Sequence, residues 1–263
     1  MPAPIDGNRD SRSALEILLA STNPLLTCYL PVADPLVADY VVDAYADGGV
    51  NIVEMGMPTR DPQIDGYDIA SSMRRAMDAD TDVLSEFRKL GHRLRERAPA
   101  MAKICMTYAD SPVYSRSTPE TFEAVDAMLV LGDESDGMKR VPAARGGHGI
   151  RKVVFVPAMF GDREIEAARS CDAYVMLQAA EGLTGPRPEL DRANEERIRR
   201  LRAAGVGQRI LLGIGISTPE QARAAIRMGA DGVVIGTMCL RKALEGERAL
   251  RTFLRDVRLA IDG

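Results

Sequence analysis

The chain has 263 residues, 46% hydrophobic and 27% charged, enough apolar material for one sizeable core, and this excludes an intrinsically disordered protein. A formal net charge of −4 excludes the clustered positive surface that a nucleic-acid backbone requires, yet leaves room for a small anion held by backbone N–H groups and a helix dipole. The length suits one α/β barrel, so residues 1–263 are expected to form a single domain.

Residues 1–10 are polar and lack the apolar core of a signal peptide, and no stretch approaches a membrane span. Cys28, Cys105, Cys171 and Cys239 are far apart, a spacing of neither a zinc site nor a disulfide framework. The expectation is a soluble, cytoplasmic protein with reduced cysteines and no membrane partner.

In chain order, a helix over residues 11–20 precedes the first strand, where it would plug the bottom of a barrel. Short apolar, β-branched runs follow at 25–30, 51–57, 101–107, 126–131, 152–156, 173–177, 210–214 and 232–235. Helical spacing separates most of them, which is the alternation of a barrel or a doubly wound sheet. The expected fold is α/β, a (β/α)8 TIM barrel with an additional N-terminal helix. Pro35 suits the first turn of a helix over 35–47 that Gly48-Gly49 stops, and Thr218-Pro219-Glu220 repeats that start before Gly229. Residues 60–80 are too long for a minimal connection and read as an elaborated loop over the mouth with its own helical pattern. The helical stretch at 119–125 is brief, and 133–151, with Arg145-Gly146-Gly147 near its centre, is weakly helical.

Two ends of the barrel carry chemistry. The seventh and eighth strands run into small residues, Gly213-Ile214-Gly215 and Gly236-Thr237. In barrels, glycines there let the backbone approach a phosphate, so Gly213, Gly215, Gly236 and Thr237 are candidate phosphate ligands; the alternative is plain tight turns. The loop 181–187 after the sixth strand is either a lid or an ordinary connection. At the other end, Glu54 interrupts an apolar strand. A buried carboxylate must be paired, with Lys103 as the candidate, or shift its pKa toward neutrality and become a usable acid or base. Asp61 and Asp65 follow in the next loop, where two carboxylates in unlike surroundings can divide acid and base roles; a cap and a turn are their bland readings. Tyr108, Asp110 and Asp133 lie at strand ends facing the same rim. His92 reads as part of a solvated helix face and His148 as a loop residue. A transition-metal site is not expected, and Gly213-Ile214-Gly215 lacks the third glycine of a dinucleotide fingerprint, so no cofactor is expected.

Taken together, Glu54-Met55-Gly56-Met57-Pro58 with Asp61-Pro62-Gln63-Ile64-Asp65-Gly66, then Met106-Thr107-Tyr108, Gly182-Leu183-Thr184-Gly185 and Gly213-Ile214-Gly215-Ile216-Ser217, resemble the tryptophan synthase alpha subunit family over nearly the whole chain. The resemblance implies a lyase that cleaves indole-3-glycerol phosphate to indole and glyceraldehyde 3-phosphate by retro-aldol chemistry. It implies Glu54 as the acid-base group, Asp65 as the carboxylate that hydrogen-bonds the indole nitrogen, Tyr108 in the indole pocket, Thr184 in the closing loop, and Gly185, Gly215, Gly236 and Thr237 at the phosphate. It also implies a possible tryptophan synthase beta subunit as partner. Arg60 stands where the family usually has serine, Asp110 where it has asparagine, and Ala179-Ala180 where a serine-arginine pair is common. The other readings are a related barrel lyase for another phosphorylated substrate, and a weakly catalytic alpha-type subunit that activates a beta partner.

Overall fold

The computed structural model describes residues 12–132 and 150–263; the expectations at Asp133, Arg145 to Gly147 and His148 fall outside them. Among the described residues there are nine parallel strands: β1 (Leu25–Pro31), β2 (Ile52–Gly56), β3 (Ala102–Tyr108), β4 (Ala127–Leu131), β5 (Arg151–Lys152), β6 (Val154–Val156), β7 (Tyr174–Gln178), β8 (Arg209–Gly213) and β9 (Gly232–Ile235). Their order in the sheet is β5-β4-β3-β2-β1-β9-β8-β7-β6. The two ends of that series, β5 and β6, are consecutive in the chain, so the backbone through Val153 closes the barrel. The single fifth strand expected over 152–156 is therefore two pieces. One ladders onto β4 and the other onto β7, while Val153 between them donates its N–H to the Met128 carbonyl at 2.9 Å. Counted as one stave, they complete the eight of a (β/α)8 barrel.

The strands are apolar almost throughout because both faces are covered, as parallel sheets require. Their period of two sorts the side chains. Leu26, Cys28, Val53, Met55, Cys105 and Leu212 pack outward against the helices, while Leu25, Ile52, Ile104, Leu129, Met176, Leu211 and Val234 fill the interior.

Helix α1 (Ala14–Ala20) starts at a capping box in which Ser13 and Glu16 satisfy each other's backbone N–H groups. Its Leu15 is fully buried in the interior cluster with Leu25, Ile52 and Ala102, which begin or nearly begin β1, β2 and β3. The helix thus closes the bottom, and Glu16 is tied to Arg151 of β5 at 2.5 Å.

Around the outside run α2 (Tyr40–Asp47), α3 (Tyr67–Asp78), α4 (Val83–Arg97), α5 (Asp162–Arg169), α6 (Ala193–Ala203), α7 (Pro219–Arg227), α8 (Thr237–Glu245) and α9 (Glu247–Asp262). Two expectations change. Pro35 does not open α2, because the Asp34 carboxylate takes the Leu36 N–H and the Asp34 carbonyl takes that of Val37, both at 3.1 Å, and this makes a turn instead. Between β3 and β4 there are two 3-10 turns, Tyr114–Arg116 and Pro119–Phe122, in place of an α-helix. They are held down by Phe122, which packs edge-on against Phe87 and Tyr114 with ring centroids 6.1 and 6.3 Å apart. Among the described residues no helix is long and apolar enough to cross a membrane.

Candidate active site

Glu54 lies in the middle of β2 and points into the barrel, only 3% exposed. In the parallel register it stands level with Ile104, so Lys103 faces the opposite side of the sheet, toward Asp126 at 3.6 Å and the Met101 carbonyl at 2.8 Å. Lys103 is therefore not its partner. Tyr174, inward on β7, is: its hydroxyl donates to Glu54 Oε1 at 2.7 Å. Burial pushes the Glu54 carboxyl up to about 7, the Tyr174 bond pulls against that, and the charge of Asp65 adds to the rise. A carboxyl poised there can both give and take a proton at neutral pH.

Asp65, in the loop after β2, is 6% exposed. Each of its oxygens has a donor, the Tyr108 hydroxyl on Oδ2 at 2.7 Å and the Thr184 hydroxyl on Oδ1 at 3.1 Å. Burial raises its pKa, and these two bonds oppose the rise. Tyr108 is wholly buried at the end of β3 and also accepts the Ile64 N–H at 3.2 Å. It stands behind Asp65, outside the cavity lining.

The loop after β7 lies down on the loop after β2. Thr184 donates its N–H to the Ile64 carbonyl and accepts the Gly66 N–H at its hydroxyl, both at 2.8 Å. The approach demands glycine at position 66, where a Cβ would fall 2.1 Å from the Thr184 carbonyl oxygen. The loop is braced from within: Gln178 Nε2 donates to the Gly182 carbonyl at 2.9 Å, and Arg187 Nη2 to those of Glu181 and Leu183 at 3.1 and 3.0 Å. It is a folded cover over the mouth, not a loose surface connection.

Across the mouth, β8 runs into Ile214 and Gly215 with φ of +63° and +100°. The left-handed region suits glycine and strains the β-branched Ile214, and strain of that kind gathers at functional turns. β9 runs into Gly236, the N-cap of α8. The free N–H groups of the first turn of α8 and the positive end of its dipole therefore meet the cavity at Gly236, Thr237 and Met238.

One cavity joins these parts. The space between its walls is about 600 Å³ when the solvent at its open mouth is included. Glu54, Asp65, Thr184, Gly185, Gly215, Gly236 and Thr237 all line it, between an apolar wall of Ile64, Met106, Leu129, Leu131 and Met176. Among the described residues no lysine or arginine lines it. Gly213 stands apart, one layer below: a Cβ there would meet Met176 Cε at 2.8 Å and Val234 Cβ at 3.0 Å, so its place is in close packing. Asp61 is exposed and outside the lining; Asp110 is exposed too, 3.5 Å from Gln63 Nε2. Sequence reasoning passed over Tyr174, Tyr29 and the strained Ile214. The first two were open to it, since the alternation that turns Glu54 inward also turns a tyrosine inward on β1 and on β7.

The family model for the tryptophan synthase alpha chain matches residues 16–260. The chain belongs to that family. Among curated tryptophan synthase alpha chains, that of Synechococcus elongatus is 30% identical over 226 residues, 81% of this chain and 82% of its own length. That of Geobacter sulfurreducens is 29% identical over 90% of this chain and 92% of its own length. Solved structures agree on the fold. Mycobacterium tuberculosis tryptophan synthase superposes with a TM-score of 0.78 at 21% identity, covering 95% of this chain and 97% of that one. The tryptophan synthase subunit alpha of Legionella pneumophila gives 0.77 at 21% identity, with the same coverage. The family's reaction, and the assignment of this chain, is the carbon–carbon cleavage of indole-3-glycerol phosphate to indole and glyceraldehyde 3-phosphate.

Proposed function

We propose that Glu54 is the acid-base group of this cleavage and that Asp65 is its electrostatic partner at the indole nitrogen. The observation that carries the reading is the joining of two buried carboxyls to a helix N-terminus in one cavity. Glu54 in its protonated form gives its proton to C3 of the indole, which turns the ring into an electron sink. As the bond from C3 to the side chain breaks, the adjacent hydroxyl gives its proton to Glu54 and becomes the aldehyde. The proton count closes on one residue, so no second acid is needed. Asp65, whose ionised form the Tyr108 and Thr184 hydroxyls favour against the burial that raises its pKa, stabilises the positive charge that develops on the nitrogen. Tyr108 and Tyr174 position the two carboxyls. Gly185, Gly215, Gly236 and Thr237 hold the phosphate by backbone N–H groups and the α8 dipole, as a helix N-terminus at a glycine-rich turn can. Gly213 shapes the floor beneath.

The test is indole release from indole-3-glycerol phosphate by the purified chain, alone and with a tryptophan synthase beta subunit, beside Glu54→Gln and Asp65→Asn. Release by the wild type, lost in Glu54→Gln and cut to a small residual rate in Asp65→Asn, supports the roles; a wild type silent under both conditions overturns them. The beta subunit is included because Leu36, Tyr67, Met159 and Leu183 are exposed apolar residues in segments that follow β1, β2, β6 and β7, all on the rim of the mouth. We take that rim as the partner surface, and a Tyr67→Glu variant is expected to weaken co-purification with the beta subunit.

A further inference from the structure

Three tyrosines point into the barrel, and two are committed: Tyr174 to Glu54 and Tyr108 to Asp65. The third, Tyr29, is inward on β1, level with Glu54 in the register. It is 4% exposed, lines the same cavity, and its hydroxyl has no hydrogen-bond partner among the described residues. Its ring lies over Gly56, where a Cβ would fall 2.1 Å from Cε2 and 2.2 Å from the hydroxyl oxygen. The ring is thus fixed, with its buried hydroxyl over Gly56 at the edge of the cavity that the residue lines. A buried hydroxyl without a partner is destabilising, and phenylalanine would fill the same space without that cost.

The sheet order says what meets it. β1 lies between β9 and β2, so Tyr29 stands between Gly236 at the head of α8 and Glu54. A Cβ on Gly236 would lie 3.7 Å from that of Tyr29. A substrate with its phosphate at α8 and its reacting carbon at Glu54 lays the intervening chain across Tyr29, whose hydroxyl has no partner within the protein among the described residues. Burial foremost, then the charges of Asp65, Asp34 and Glu54, keep the proton on the phenol, so the group is a donor.

We propose that Tyr29 is a substrate-binding residue whose hydroxyl donates a hydrogen bond to a hydroxyl oxygen of the three-carbon chain between the indole and the phosphate. This rests on the function proposed above. The experiment compares wild type with Tyr29→Phe in three readouts: cleavage of indole-3-glycerol phosphate, inhibition by indole-3-propanol phosphate, which lacks those hydroxyls, and melting temperature. The expected result is a fall of about tenfold in kcat/KM with an inhibition constant unchanged within about twofold. The melting temperature stays level or rises, because the variant loses an unpaired group and no internal bond. Wild-type kcat/KM in the variant overturns the proposal, and so does an inhibition constant that worsens in step with kcat/KM, which would make the contact one of ring packing. A wild type that neither cleaves the substrate nor binds the analogue, with or without a beta subunit, overturns the functional reading itself, and this assignment with it.

Discussion

The two ends of the cavity are built from different materials. At the carboxylate end everything is side chain: Glu54 and Asp65 are buried and held by hydroxyls from β7, β3 and the covering loop. At the phosphate end almost everything is backbone: a left-handed Ile214-Gly215 turn and the first turn of α8. A site made of side chains concentrates its function in a few atoms, each removable by one substitution. A site made of backbone spreads its function over peptide groups that substitution leaves in place, and it yields only to changes that move the chain. The first should therefore break in kcat and the second in KM.

The largest expected effect is at Glu54. Replacing it with glutamine keeps the shape and an acceptor for Tyr174 but removes the proton carrier, and kcat for indole release should fall by at least about 10²-fold. At the backbone end, Gly215→Ala puts a Cβ at a φ of +100° and 3.0 Å from Arg187 Cγ. Steady-state kinetics should show KM raised about tenfold with kcat changed much less. Thr237→Ala, which keeps every peptide N–H, should shift KM by less than that, and an equal loss would show that the hydroxyl is the ligand.

The carboxylate end also weakens the fold. The pKa of Glu54 rises from an ordinary 4.5 to about 7 in the folded chain. Below 4.5 the group is protonated whether folded or unfolded and burial costs nothing; as pH rises through 7 the interior must hold a charge. Up to about 3 kcal/mol of stability is lost across that window. Glu54→Gln should accordingly melt higher than wild type at pH 8.5 and much closer to it at pH 4.5. Equal melting curves at both values would contradict the burial argument. No comparable dependence is expected from the phosphate end, which buries no titratable side chain of its own.

How much of this could be read from the chain follows the same division. The carboxylate end was legible because Glu54 is conspicuous in an apolar strand, and Asp65 follows from the resemblance. Alternation alone, however, cannot say which strand faces which across a barrel. Lys103 looked like a partner in sequence and lies on the other face, while the actual partner, Tyr174, is on β7. Glycine pairs announced the phosphate end, but composition could not separate Gly215, which lines the cavity, from Gly213, which lets Met176 and Val234 pack. In the fold, β-branched runs found the strands. The break at Val153 escaped them because it depends on which neighbour each half pairs with, and the late start of α2 escaped because the Asp34 side chain captures a backbone N–H that helix propensity would spend otherwise.

A finer comparison separates the groups that tune Glu54. The Tyr174 hydrogen bond lowers its pKa and the Asp65 charge raises it. Tyr174→Phe should move the titration of activity to higher pH and Asp65→Asn, in its residual activity, to lower pH.

The central claim is that Glu54 starts the reaction with its proton on. The direct measurement is kcat/KM for indole release across pH 5.5 to 9, since that ratio reports ionisations of the free enzyme. The account predicts a decline as pH rises through about 7, displaced upward in Tyr174→Phe. A rate that climbs through the same window would make Glu54 a base first, and a rate that is flat throughout would contradict its role as the proton carrier.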